Sequence, residues 1–325
     1  MELKNTQSVP VGSLSIQHMY PMDFEEFLLA NGVGTEAVAS MRESFHRNEA
    51  LPEAMHDKIL DFFRKYLLVG GLPDAVNKYL ESRNVTEFRS VQQEVHALYG
   101  IYASKYEQEN NRRLKVRRIF DMVPSNLENK KKRMVITEIE NKKWKRSENY
   151  ADEFDYLISA GIVLEVKAVS TPSYPLVENS GKNLLKLYLN DVGILSGIFY
   201  HNNIMAVMSD IRSINLGSVY ETVVAQELRA HGYDLYYYDN KKNGEVDFLI
   251  DDADNLSNIP IEVKSGKDYT VHSALNKFLS TKEYNIKRAV VLSNGREVFT
   301  KDGITYLPVY YVMFFENVSH HTGTL

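Results

Sequence analysis

Gly244-Glu245-Val246-Asp247-Phe248-Leu249-Ile250 and Pro260-Ile261-Glu262-Val263-Lys264-Ser265-Gly266 are the two stretches on which the reading of this chain turns. Side chains of a strand alternate between its faces. In the first run the odd positions, Asp247 among them, share one face, and the apolar even positions Val246, Phe248 and Ile250 share the other. In the second run Glu262 and Lys264 fall together, opposite Ile261 and Val263. The segment from Asp251 to Asn258 is rich in turn residues, so the runs are expected to pair as an antiparallel hairpin. That pairing would put Asp247, Glu262 and Lys264 on a common surface.

Two clustered acids form part of a coordination shell for a hard cation such as Mg²⁺ or Mn²⁺, which keeps water in its remaining positions. A lysine two residues from such an acid can orient that water or neutralise charge on a phosphate during transfer. An acid-x-Lys triplet alone is more often a surface ion pair than a site. Here its weight comes from Asp247 at hairpin spacing and from the helix that precedes both strands.

GEVDF at 244–248 followed by PIEVKSG at 260–266 resembles the D…(E)xK signature of the PD-(D/E)xK nuclease superfamily. The resemblance implies a further acid on the first helix of that fold, and Glu221 in GSVYETVVAQEL matches the place. Helical spacing puts Glu221 at the edge of the apolar arc of Val219, Val223, Val224 and Leu228, with Glu227 nearer its middle. Glu227 is therefore a rival for the third ligand, and only the motif match favours Glu221.

Further blocks extend the resemblance: YPMDFEEFL at 20–28, YLLVGGLPDAV at 66–76 and LKLYLNDVGIL at 185–195. Together with the two strands they are similar to prokaryotic AAA+-type ATPases with a DUF4143 C-terminal region. In that family a P-loop module is followed by a helical lid, a winged helix and a restriction-endonuclease-like domain. No GxxxxGK[ST] occurs in this sequence, the nearest glycine pair being Gly70-Gly71. The resemblance thus implies the family's distal half without its ATP-binding core, and no ATP site or ATP hydrolysis is expected from this chain alone.

Working outward, the expected fold class is a multidomain α+β protein. Residues 1–106 are a helical region resembling a lid remnant. Residues 107–200 are a winged-helix-like domain, and residues 201–325 a PD-(D/E)xK-like α/β domain with a mixed sheet. The N-terminal helices are expected at Asp23 to Ala30, with Pro21 suited to the first turn, and at Glu53 to Val69, which stops at Gly70-Gly71-Leu72-Pro73. Helical patterning resumes from Glu87 to Lys105 and from Lys115 to Asn126. A helix from Glu148 to Ala160, closed by Gly161, precedes the β-branched run Ile162 to Val169, an order that resembles a winged helix-turn-helix. In the last region helices are expected at Gly217 to His231 and Ser273 to Tyr284. Strands are expected at Asp234 to Tyr238, Glu245 to Ile250, Ile259 to Lys264, Ala289 to Ser293 and Ile304 to Val312.

Composition bounds the function classes. The 325 residues include no cysteine, which removes disulfides, thiolate metal sites and cysteine nucleophiles and fits a reducing cytoplasm. The N-terminus lacks a secretory signal pattern, and no apolar run is long enough to span a bilayer, so no membrane partner is expected. The net charge of -5 hides an asymmetry: Asn111 to Arg146 holds thirteen Lys/Arg against four Asp/Glu. Nucleic acid, DNA ahead of RNA, is expected to meet the chain there. Trp144, among Lys142, Lys143, Lys145 and Arg146, could pack on a nucleic-acid backbone, and Lys277 could reach a phosphate. His320-His321, in a polar tail, lacks partners for a metal.

Two functions follow. In the first, the middle region holds DNA while Asp247, Glu262 and Glu221 hold the metal and Lys264 stabilises the transition state of phosphodiester hydrolysis. In the second, the chain is a non-catalytic regulatory module with a degenerate nuclease fold. Its helical regions then contact an ATPase core or a second copy of the chain.

Overall fold

The first helix starts where its cap dictates. The Asp23 carboxylate accepts from the Glu26 N–H at 2.8 Å, and the Glu26 carboxylate from the Asp23 N–H at 3.1 Å, a reciprocal cap that fixes Phe24 as the first helical residue. Pro21, expected in the first turn, therefore lies before the helix. The computed structural model describes residues 17–105, 110–130, 132–141, 145–209, 216–266 and 269–317. Trp144, Lys142, Lys143 and His320-His321 lie outside them.

The N-terminal part is helical: α1 (Phe24–Ala30), α2 (Thr35–His46), α3 (Glu53–Val69), α4 (Pro73–Ser82) and α5 (Val85–Lys105). Helix α3 buries Ile59, Leu60, Phe63, Tyr66 and Leu67 and ends at Gly70, whose φ of 73° continues the chain in a direction closed to other residues. Helix α2 buries only Val38 and Met41, too few to show as a stripe in the sequence. Helices α6 (Asn110–Glu128), α7 (Ile136–Glu140) and α8 (Ala151–Ser159) follow, then strands β1 (Val163–Val169) and β2 (Ser180–Leu189) and helices α9 (Val192–Tyr200) and α10 (Met205–Met208).

The remainder supplies α11 (Gly217–Ala230), β3 (Tyr236–Asn240), β4 (Gly244–Asp252), β5 (Ser257–Lys264), α12 (Ser273–Leu279), β6 (Ala289–Ser293), β7 (Phe299–Lys301) and β8 (Ile304–Pro308). The expected helix to Tyr284 breaks after Leu279 into a separate 3-10 turn at Lys282–Tyr284. The expected last strand stops at Pro308, after which Val309–Phe314 forms a 3-10 helix.

All eight strands join one mixed sheet in the order β2-β1-β3-β4-β5-β6-β8-β7. The pair β4 and β5 is the expected antiparallel hairpin, with Phe248 opposite Ile261 and Ile250 opposite Ile259. The hairpin β1–β2, read in the sequence as a wing, is hydrogen-bonded into this sheet: Lys167 to Val169 run parallel to Tyr236 to Tyr238. The pairing covers an edge that would otherwise be free to template another chain.

Helix α11 is the centre of the molecule. Every residue from Ser218 to Leu228 is buried, because the sheet lies on one side and α1, α3, α9 and the 309–314 turn on the others. A helix enclosed on all sides has no solvent face for a wheel to reveal. Among the described residues no helix is long and apolar enough to cross a membrane.

Candidate functional site

A bulge in β4 positions Asp247. Tyr236 pairs with Leu249 but Tyr238 with Val246, so three steps along β4 match two along β3. The extra residue breaks the alternation expected from the sequence: Val246 packs with Leu275 and Phe278 of α12, whereas both Phe248 and Ile250 join the core beneath α11. Bulges re-aim side chains. Here the Asp247 Oδ2 is turned onto the neighbouring strand, where it accepts from the Val263 N–H at 2.8 Å.

On β5, Ile261 and Val263 pack beneath α11, so alternation turns Glu262 and Lys264 to the other side. Lys264 Nζ donates to Glu262 Oε1 at 2.7 Å, and the buried Glu262 Oε2 has no hydrogen-bond partner. Glu221 comes to Asp247 from α11 instead. Its two oxygens are engaged, one by Lys132 Nζ in a short ion pair and the other by Tyr188 Oη–H at 2.9 Å. Asp247 thus meets one acid from each side of the strand pair.

Three cations surround these acids that the sequence reading did not single out. Lys186 on β2, fully buried, stands 2.6 Å from Glu245 Oε1 and 4.5 Å from the Tyr237 ring centroid. Arg133 pairs with Asp239 at 2.5 Å and lies 4.0 Å from Glu245. Lys132 holds Glu221. Lys186 and Tyr188, two apart in a strand of leucines, carry a readable signal in the LKLYL pattern. Nothing in the run Lys130 to Arg133 distinguishes the lysine that enters the cluster.

The electrostatics follow from this crowding. Burial, then the carboxylates of Glu262 and Glu221, hold the Asp247 pKa well above the ordinary aspartate value, against the pull of Lys132 and Lys186. Burial would raise Glu221 too, but Lys132 and Lys186 outweigh it and its pKa lies below the usual glutamate value. Lys132 and Lys264 are the reverse cases: burial disfavours their charge, yet Glu221 and Asp247 for the first and Glu262 for the second keep both pKa values above the normal lysine range.

The donor set is all oxygen, which suits Mg²⁺ or Mn²⁺. Asp247 and Glu262 fit such an ion best, since Glu262 has a buried oxygen without a partner and Asp247 is partly exposed. Glu221 can join only if Lys132 leaves it. Consistent with that commitment, among the described residues no group of three His, Asp or Glu side chains is arranged to hold a metal ion.

The rival acid Glu227 is placed elsewhere. Its Oε1 accepts from the Phe24 N–H and the Tyr66 hydroxyl, both at 3.0 Å, so it ties α11 to α1 and α3. Six residues separate it from Glu221, which turns the two about 120° apart on one helix. Lys277 is exposed on α12. Much of the basic middle is spent inside the molecule: Arg112 pairs with Asp152, Lys115 with Glu140, Arg117 with Asp121, and Arg118 donates to the Ile139 carbonyl.

Comparison with known proteins finds two family regions in the chain. Residues 216–312 match the model of a domain of unknown function, DUF4143, and residues 60–202 that of a second domain of unknown function, DUF8612. The C-terminal DUF4143 region implied by the sequence blocks is therefore present. No curated protein and no solved structure matches the chain.

Proposed function

We propose that the C-terminal region is a restriction-endonuclease-like PD-(D/E)xK domain that hydrolyses phosphodiester bonds in DNA. Asp247 and Glu262 are its metal ligands, Glu221 its helix acid and Lys264 its phosphate-facing cation. The proposal includes a winged-helix middle region that presents the nucleic acid, and an ATPase-linked, cytoplasmic setting. The observation that carries it is the β4 bulge, which delivers Asp247 to the backbone of Val263, between the Glu262–Lys264 pair and Glu221. A strand that served only as scaffold has no need to break its alternation at Asp247.

A divalent cation bound by Asp247 and Glu262 would supply Lewis acidity and an activated water. The residues of the chain do the rest. Glu262 fixes the Lys264 ammonium at 2.7 Å. Held there, the amine is poised to neutralise charge developing on a phosphate oxygen. The Val263 N–H orients the Asp247 carboxylate. Incubation of supercoiled plasmid with Mg²⁺ or Mn²⁺ tests the reading: the wild type nicks it, and Asp247→Ala and Lys264→Ala lose nicking by at least about a hundredfold. Equal nicking by all three proteins would sink it.

A second reading, a non-catalytic module that contacts an ATPase core or a second copy, is favoured by one observation. Both oxygens of Glu221 are already satisfied within the chain, by Lys132 and Tyr188. It predicts no Mn²⁺ heat at the acid cluster and DNA association, if any, that ignores salt.

A further inference from the structure

Lys132 reaches the acid cluster from a turn. The Lys132 N–H closes it on the Asn129 carbonyl at 3.0 Å, and the residue holds φ at 49°, a left-handed conformation unusual for a side chain of this size. On either side the chain is fastened: Val135 N–H donates to Asn126 Oδ1 at 2.8 Å and Met134 N–H to the Leu185 carbonyl at 3.1 Å. Strain of this kind is kept only where surrounding contacts enforce it, and it gathers at switching elements. From that conformation the Lys132 side chain reaches Glu221.

Charge counting gives the ion pair a second meaning. The cluster contains five carboxylates, Glu221, Asp239, Glu245, Asp247 and Glu262, and four cations, Lys132, Arg133, Lys186 and Lys264, a formal balance of -1. With Lys132 withdrawn the formal balance is -2, which one divalent cation would neutralise. Lys132 also lies on the side of Asp247 from which Glu221 approaches, where a cation shared by those two acids would have to stand.

We propose that Lys132 competes with the divalent cation for Glu221, so that Glu221 completes the metal's shell beside Asp247 and Glu262 only when Lys132 and the 132–135 stretch behind it release it. The inference rests on the metal-binding reading above and adds its regulation. Tight loading is thereby coupled to the position of the middle region, in which Lys132 is the residue that has to move.

Calorimetric titration of Mn²⁺ into the full chain and its Lys132→Met and Lys132→Gln variants tests this. The wild-type side of the test is hydrogen exchange of the 132–141 amides with and without Mn²⁺. Both variants should bind Mn²⁺ at least about tenfold tighter than the wild type, a difference of about 1.4 kcal/mol. Mn²⁺ should also raise exchange over 132–141 in the wild type. Equal affinity in all three proteins, with exchange unchanged by metal, overturns the inference while leaving the metal reading intact. No binding by the wild type or either variant overturns both. If a variant fails to fold, the exchange measurement on the wild type decides alone: metal bound with 132–141 still protected refutes the competition.

Discussion

The ammonium of Lys132 is paired with the carboxylate of Glu221, a residue 89 positions later in the chain, on a helix buried from all sides. Two regions with separate family matches are joined there by opposite charges.

Removing both partners of that pair should cost less than the two single removals added together. Glu221→Ala leaves the Lys132 ammonium without its counter-ion and the Tyr188 hydroxyl without its acceptor, and should destabilise the fold by about 3 kcal/mol in urea denaturation. The double variant Lys132→Met/Glu221→Gln should be less unstable than the sum of its single variants by about 1 kcal/mol. Simple additivity would show that the ion pair contributes nothing in solution.

Glu227 makes stability fall with alkaline pH. Burial, then the Asp23 charge, raises its pKa to about 8, against the opposing effects of His231, the Tyr66 hydroxyl and the Phe24 N–H. The folded state thus binds its proton more tightly than the unfolded chain, whose glutamate titrates near 4.5. The stabilising contribution is complete below that value and disappears as pH rises through about 8. Thermal melting across this window should show a decline that Glu227→Gln flattens. A wild-type profile with the same slope as the variant would count against a protonated Glu227.

Asp191 explains the first glycine after α3, and the Met22 backbone the second, on which a Cβ would stand 2.0 Å from the Met22 carbonyl oxygen. The buried Asp191 carboxylate accepts from the Gly71 N–H at 2.7 Å and the Ile194 N–H at 3.0 Å, and a Cβ on Gly70 would stand 2.2 Å from its Oδ1. Gly70→Ala therefore combines a φ of 73° with a collision, and should cost at least about 2 kcal/mol. Gly32→Ala has φ at 82° and nothing within 4 Å, so it isolates the backbone cost of about 1 kcal/mol. Equal losses in the two variants would dismiss the contact with Asp191.

DNA binding by the middle region should be less salt-dependent than its charge suggests. If the whole formal +9 of residues 111–146 faced phosphates, log K would fall against log salt with a slope of roughly -8. Arg112, Lys132 and Arg133 are paired with Asp152, Glu221 and Asp239 outside that segment, whereas the partners of Lys115 and Arg117 are already counted in the +9, so a slope of roughly -5 is expected from a fluorescence-anisotropy series. The full slope would mean that these ion pairs open on binding.

The strands at 244–252 and 257–264, the span of α3 and its stop at Gly70, and the strand at 289–293 were legible because each depends on neighbours a few residues away. Alternation, helical spacing and glycine's freedom at positive φ are properties of the local backbone. Asp247, Glu262 and Lys264 could be nominated on the same basis. What they meet could not. The bulge at Asp247 depends on how β3 pairs with β4, and the partners of Glu221 arrive from β2 and from the turn at 129–132. Glu221 and Glu227 both fall on the apolar arc of the wheel, yet one faces lysine and the other Tyr66, because the packing of remote elements around α11 decides which charge each acid sees. Tertiary structure alone made that choice, since a buried carboxylate is stabilised by whichever donors the rest of the chain brings to it.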